Sequence, residues 1–233
     1  MERRRGQERG EAEVNESELE EIFERVARIG KKAVSEGLVN ANFGNLSVRV
    51  GSKMLISRSG AFLDELHKGN LVEVRIEEEG NEAGSGEESD ASSEMIVHRE
   101  IYKNTEANAI LHTHSPFAVS ISLLLGDVGE GAVVKPVDVE GTLLLGEIPV
   151  VGGAPGSIEL ASNLASALKS HRAAIAHAHG CFAVGSTIEE AFVVASAVEH
   201  ACKVKFLCEI SRSVFKTNKI DNARRNRGSK IWR

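Results

Sequence analysis

The stretch AILHTHSPFAVS, residues 109–120, decides how this chain is read. Ala109, Ile110 and Leu111 form a short apolar run that reads as a strand entering a core. On a strand, residues i and i+2 share a face, so His112 and His114 are expected side by side, about 6–7 Å apart. Ser115 and Pro116 then give a helix start, Ser as N-cap and Pro at the first helical position, with the helix running to Leu125. Two imidazoles on one face at the mouth between a strand and a helix can share a metal ion. The same pattern also fits two polar residues that close a strand, each with its own local hydrogen bond.

The pattern has an echo. AIAHAHGC, residues 174–181, again sets two histidines two apart at a strand end, His177 and His179, so that four of the eight histidines fall in two places. Neutral imidazoles are good ligands for zinc-like ions, and catalytic zinc takes three protein ligands and keeps one position open. An ion with an open position can hold a substrate oxygen and stabilise negative charge on it.

Outward from these pairs, the chain alternates strand and helix signals. Residues 1–16 are charged and without apolar period, and are expected as a disordered tail. From Ser17, Leu19, Ile22, Phe23, Val26, Ile29 and Ala33 recur at helical spacing, with Gly37 as a stop. NLSVRV (45–50) and KMLIS (53–57) read as a hairpin about Gly51-Ser52, and LVEVRI (71–76) as a further strand. The acidic Gly/Ser-rich segment 77–93 is expected as a solvated loop, ending at Ser93 as the cap of a helix over 94–104. Residues 132–152 read as one or two short strands broken by Pro136 and Gly141. SIELASNLASALKSH is a helix capped by Ser157. A strand, a sharp bend at Gly180 and a second strand follow. Thr187 and Glu190 form a capping box that opens a long helix, and residues 213–233 are expected as a basic, loose tail.

Composition narrows the function. The chain has 233 residues, 42% of them hydrophobic, enough for one sizeable core. A net charge of −6 and 4% aromatic residues argue against nucleic acid as a partner. No apolar run approaches the roughly 20 residues that cross a bilayer, and the first residues carry no secretory signal. Cys181, Cys202 and Cys208 form no CxxC pair and no even framework, which fits a reduced, cytoplasmic setting. Turn chemistry alone accounts for Gly44-Asn45 and Ser59-Gly60 taken singly, yet Gly and Ser are also what a phosphate nest of backbone N–H groups and hydroxyls is made from. Ser93-Glu94 at a helix start adds the positive end of a helix dipole.

GNLSVR (44–49), SRSG (57–60), SSE (92–94), LHTHSP (111–116) and AHGCFAVG (178–185) occur in one order. Together they make the chain resemble the class II aldolase/adducin family, of the fuculose-1-phosphate aldolase type, over roughly residues 17–212. The resemblance implies a single α/β domain with a central, largely antiparallel sheet flanked by helices, usually assembled as a homotetramer. It implies that His112, His114 and His179 ligate one divalent ion, zinc foremost, with manganese or cobalt as alternatives. It implies that Glu94 joins them and serves as the base, and that Gly44, Asn45, Ser59, Gly60, Ser92 and Ser93 bind phosphate. The reaction implied is reversible cleavage of a ketose-1-phosphate to dihydroxyacetone phosphate and an aldehyde, through a metal-stabilised enediolate.

The chain departs from the pattern where the aldehyde half is handled. Its one tyrosine, Tyr102, follows Glu94 on the same helix and reads as packing. Glu140, in VDVEGT, resembles a catalytic glutamate of methylthioribulose-1-phosphate dehydratases in the same family, and His177 is a second candidate proton donor. A dehydratase or a sugar-phosphate epimerase on the same metal site therefore stands as the alternative, and an adducin-like interaction module without catalysis as the non-enzymatic one.

Overall fold

A computed structural model describes residues 15–77, 89–126, 128–129 and 131–228, with side chains described through 215. Of the expected tail over 1–16, residues 1–14 lie outside the described residues, as does most of the acidic loop, while Asn15 and Glu16 belong to the start of a helix. Helix α1 (Glu16–Ser35) starts where the Asn15 side chain accepts from Glu18 N and the Glu18 carboxylate accepts from Asn15 N, both at 3.0 Å. This capping box satisfies two of the amides that a helix start leaves free. After α1 come β1 (Asn45–Val50), β2 (Lys53–Ser57), β3 (Leu71–Arg75), α2 (Met95–Asn104), β4 (Ala109–Thr113) and α3 (Pro116–Leu124). The second half runs β5 (Val133–Val134), α4 (Val139–Leu145), β6 (Ile148–Val151), α5 (Ile158–Leu168), β7 (Ala173–Ala176), β8 (Gly180–Gly185) and α6 (Ile188–Gly228).

The eight strands form one sheet in the order β3-β2-β1-β4-β8-β7-β6-β5. Every pairing is antiparallel except β6 with β7. That parallel pair needs a crossover, which α5 supplies. Strand alternation splits the core in two. Leu46, Leu111, Ile175 and Ala183 face a layer containing α1, α3 and α6, where Val26, Ile29, Val194 and Val198 are buried. Ile56, Ile110, Ala174 and Phe182 face α2 and α5, where Ile101, Leu160 and Leu164 are buried. Each Val, Leu, Ile or Phe among them taken fully from water contributes about 1.5–3 kcal/mol. The expected α/β domain with a largely antiparallel sheet between helices is the one observed.

Four local readings are corrected. Residues 139–145 are helical, because the Asp138 side chain caps Gly141 N at 2.7 Å and α4 lies close against α6. A Cβ on Gly141 would stand 3.0 Å from Ala201 Cβ, so the glycine that reads as a strand breaker is a packing residue. The N-cap of α2 is Glu94 rather than Ser93. The bend expected at Gly180 falls over 177–179, with Ala178 left-handed at φ +57°, and Gly180 is the first residue of β8. Helix α6 runs on through the basic segment to Gly228, since no Pro or Gly interrupts residues 188–227.

Helices α1 and α6 are clamped together. Arg25 donates to Glu189 at 2.6 and 3.0 Å, and Arg28 donates to the same carboxylate at 2.7 Å. The Arg25 hydrogen bonds, with the helix-start amides and Arg28, outweigh burial and hold Glu189 down at about 2. A carboxyl held below its unfolded value near 4.3 stabilises the fold above that value and loses the contribution as pH falls toward 2. Glu189→Gln is therefore expected to lower Tm at pH 7, with a gap that narrows through pH 3 and closes below pH 2. An undiminished gap at pH 3 would assign the stabilisation to packing instead.

Candidate active site

The histidines meet where β4 and β8 lie side by side. His112 pairs with Asn45 of β1 and Phe182 of β8 in register and is fully buried on the α2/α5 side of the sheet. Its ring stacks on Phe182 at 4.0 Å, and its Nδ1 donates to the Cys181 carbonyl at 3.0 Å. That bond sets the tautomer and leaves the Nε2 lone pair pointing into the site. His114 lies just beyond the strand end, so the separation expected from strand pleating does not apply. Its Nε2 stands 3.0 Å from His112 Nε2, and its ring stacks on Phe43. His179 arrives from the turn held by Ala178 N donating to Ser122 Oγ and His179 N donating to Ala176 O. The three ring centroids form a near-equilateral triangle of 4.7, 4.8 and 4.8 Å. Burial and the neighbouring imidazoles push His114 down to about 4 and His179 below its ordinary value, so both rings are neutral at pH 7.

Gly180 makes this approach possible. A Cβ there would fall 2.2 Å from the Thr113 carbonyl oxygen and 3.0 Å from His112 Cε1. Gly44, with φ +76°, is equally constrained, its would-be Cβ lying 2.6 Å from the His112 carbonyl oxygen.

Glu94 enters from the start of α2 and is 4% exposed. Its Oε2 lies 3.0 Å from His112 Nε2 and accepts from Asn45 Nδ2 at 2.9 Å, while Oε1 lies 3.7 Å from His179 Nε2. Burial alone would raise its pKa. The facing His112, the Asn45 hydrogen bond and His179 outweigh burial and keep the carboxyl below the ordinary carboxylate range. The donor set fits a divalent cation. Three histidine ligand nitrogens lie within 4.8 Å of one another. The His112 lone pair faces a carboxylate oxygen, and Glu94 Oε1 is buried without a hydrogen-bond partner. Converging lone pairs repel unless a cation stands among them, and nitrogen with carboxylate oxygen is the donor set of zinc and its neighbours.

The remaining candidates are placed as follows. The turn carrying Ser59 and Gly60 is tied to the segment before Glu94 by Ser59 N donating to Asp90 O and Ser92 N donating to Ser57 O. Ser57 Oγ also accepts from Leu46 N. Three segments distant in sequence, 44–46, 57–60 and 90–94, are thus laced together beside Glu94. Ser92 is buried and its Oγ accepts from Glu94 N, whereas Ser59, Gly60 and Ser93 are exposed. His177 is half-buried in the β7–β8 turn, its Nε2 without a partner. Glu140 lies on the exposed face of α4, and no hydrogen bond or ion pair joins it to the cluster among the described residues.

Several roles escape a sequence reading. Asn45 orients Glu94 across 49 residues. Behind the site, Ser47 Oγ links His98 Nδ1 at 2.7 Å to the Tyr102 hydroxyl at 2.8 Å, and burial holds His98 neutral at about 3. Ser115 does not cap α3 with its side chain. Glu199 of α6 reaches over and accepts from Phe117 N and Ala118 N instead. The spacing of Glu94 and His98, four apart and hence on one helix face, is the one sequence signal for that inner layer.

Residues 24–206 match the family model for the Class II Aldolase and Adducin N-terminal domain. The chain belongs to the class II aldolase and adducin family, and within it to the lyase enzymes. Class II aldolases use a divalent metal, and the three-histidine group fits one. It is 31% identical over 137 residues to a probable bifunctional methylthioribose-1-phosphate isomerase/methylthioribulose-1-phosphate dehydratase of Nocardia farcinica. That match covers 59% of this chain but only 24% of the Nocardia protein. It is 30% identical to the 5-deoxy-D-ribulose 1-phosphate aldolase of Bacillus thuringiensis, covering 81% of this chain and 85% of that one. The crystal structure of L-fuculose-1-phosphate aldolase from Thermus thermophilus superposes with a TM-score of 0.74 at 30% identity, covering 82% of this chain and 96% of that one. Among the described residues no helix is long and apolar enough to cross a membrane.

Proposed function

We propose that this enzyme reversibly cleaves a ketose-1-phosphate to dihydroxyacetone phosphate and an aldehyde, with His112, His114, His179 and Glu94 as ligands of one zinc-class ion. The observation that carries this reading is the buried Glu94 carboxylate, fixed by Asn45 at the edge of the histidine triangle. A divalent ion held there supplies Lewis-acid stabilisation of the negative charge that develops on the carbonyl oxygen as the C3–C4 bond breaks. Net cleavage moves one proton from the C4 hydroxyl to C3; Glu94, ionised at rest, makes the transfer at C3 and removes that proton in the reverse direction. Gly44, Asn45, Ser59, Gly60, Ser92 and Ser93 hold the phosphate, and so orient the three-carbon half against Glu94. We further propose zinc over manganese or cobalt, a homotetramer, and work in the reducing cytoplasm, consistent with three unpaired cysteines.

The likeness to the Nocardia protein favours one second reading, a dehydratase on the same ligands with Glu140 as its second acid. The exposed placement of Glu140, outside the cluster, weighs toward the aldolase. Incubation with a panel of ketose-1-phosphates, fuculose-1-phosphate and 5-deoxyribulose-1-phosphate included, separates them. Release of dihydroxyacetone phosphate that a chelator abolishes and added zinc restores is the expected result. Loss of water from methylthioribulose-1-phosphate, with no three-carbon product from any substrate, would overturn the aldolase reading.

A further inference from the structure

The first turn of α3 is capped from another helix. Pro116 has no amide to offer, so the free amides of that turn belong to Phe117 and Ala118. Both donate to Glu199 of α6, Phe117 N to its two oxygens at 3.0 and 3.1 Å and Ala118 N to Oε2 at 3.0 Å. Ser115, the local candidate for a cap, is turned away, and its buried hydroxyl meets Thr113 Oγ1 at 2.9 Å. A local cap would stabilise α3 wherever that helix lay. A carboxylate 82 residues further on also fixes where the helix starts relative to α6.

Two of the three histidines depend on that placement. His114 lies on a short link between Thr113 and Ser115. Thr113 is held by its pairing with Cys181 of β8, and Ser115 gives its carbonyl to Val119 N in the first turn of α3. Further along the same helix, buried Ser122 accepts from Ala178 N at 3.0 Å and donates to the Val119 carbonyl at 2.7 Å, and so holds the turn that carries His179. His112, by contrast, stands within β4 and is fixed by the sheet. We propose that Glu199 is a positioning residue of the metal site, which sets where His114 and His179 stand by fixing the start of α3. The inference rests on the reading of those two histidines as ligands. Phe117 against Phe206, with buried Ala118 and Ile121, ties α3 to the core independently of the carboxylate. Removing Glu199 is therefore expected to shift the helix start without undocking the helix.

The test is the zinc affinity of the full chain, read by competition with a chromophoric chelator, for the wild type, Glu199→Ala, Glu199→Gln and Ser122→Ala, with circular dichroism checking the fold. Glu199→Ala is expected to bind zinc about 10- to 100-fold more weakly, the usual cost of losing a group that orients a ligand. Glu199→Gln keeps an oxygen that can accept from both amides, and is expected to recover most of that loss. Ser122→Ala frees the His179 turn alone, and is expected to weaken binding even where Glu199→Ala does not fold. A purely structural cap would lower the urea midpoint of metal-free protein and leave the affinity of the folded protein unchanged. A folded Glu199→Ala with the wild-type affinity therefore overturns the inference and leaves the ligands standing, as does Ser122→Ala with the wild-type affinity. A Glu199→Gln as weak as Glu199→Ala overturns it too, because charge rather than position would then act on the ion. A wild type that takes up no zinc removes the ligand reading itself, and the inference with it.

Discussion

Replacing Glu94 by Gln is expected to cut kcat for aldol cleavage by about 10²- to 10⁴-fold, the usual contribution of a positioned acid or base. The substitution is isosteric, which matters at a site 4% exposed. The amide oxygen can still accept from Asn45 Nδ2, so the side chain keeps its place and loses only its charge and basicity. Two readouts separate the base from the ligand. Metal content reports whether the three histidines suffice to hold the ion without the carboxylate. Exchange of a dihydroxyacetone phosphate proton with deuterated water, followed without any aldehyde present, reports proton transfer alone. The proposed role requires that exchange to fall with kcat in protein that still carries metal. Full exchange in a metal-loaded variant would move the base elsewhere, with His177 and its unpartnered Nε2 the next group to replace.

The parts of this site that were legible in the sequence are those that local periodicity or a contiguous motif encodes. His112 follows from a buried strand whose alternation faces it toward α2, and Ser157 caps α5 as its position before an apolar period demands. What stayed illegible depends on register between distant strands. Asn45 reaches Glu94 only because β1 pairs with β4 so that Asn45 stands opposite His112. His114 stands far closer to His112 than strand pleating allows, because the strand ends at Thr113 and the chain turns. Helix α4 was hidden by residues with poor helix propensity. Val139, Gly141 and Thr142 read as strand or breaker, and the Asp138 cap and the close approach to α6 override them. Ser93 looked like the cap of α2 because serine is the commoner cap, yet Glu94 occupies that position and spends its side chain on the histidines rather than on the helix.

His112→Ala is expected to weaken metal binding by more than about a hundredfold, beyond the 10- to 100-fold typical of losing an outer-shell partner, and to abolish turnover with it. His112 is the hub of the cluster. Its Nε2 lies 3.0 Å from both Glu94 Oε2 and His114 Nε2, and its other nitrogen is anchored on the Cys181 carbonyl. Alanine also leaves a void against Phe182 and strips the Cys181 carbonyl of its Nδ1 donor, a cost of about 1–3 kcal/mol for the group left unsatisfied. Urea unfolding of metal-free protein should therefore show a lower midpoint for this variant. His114→Ala provides the contrast. That ring is only half-buried and leans on exposed Phe43, so its loss should cost metal with a smaller change in the metal-free fold. Elemental analysis after dialysis reads the first effect and the urea midpoint reads the second. An His112→Ala protein that keeps a full complement of metal would remove His112 from the ligand set and make its burial structural. Loss of metal in both variants, with a large stability loss in His112→Ala alone, would identify one histidine that both binds the ion and holds the strand mouth together.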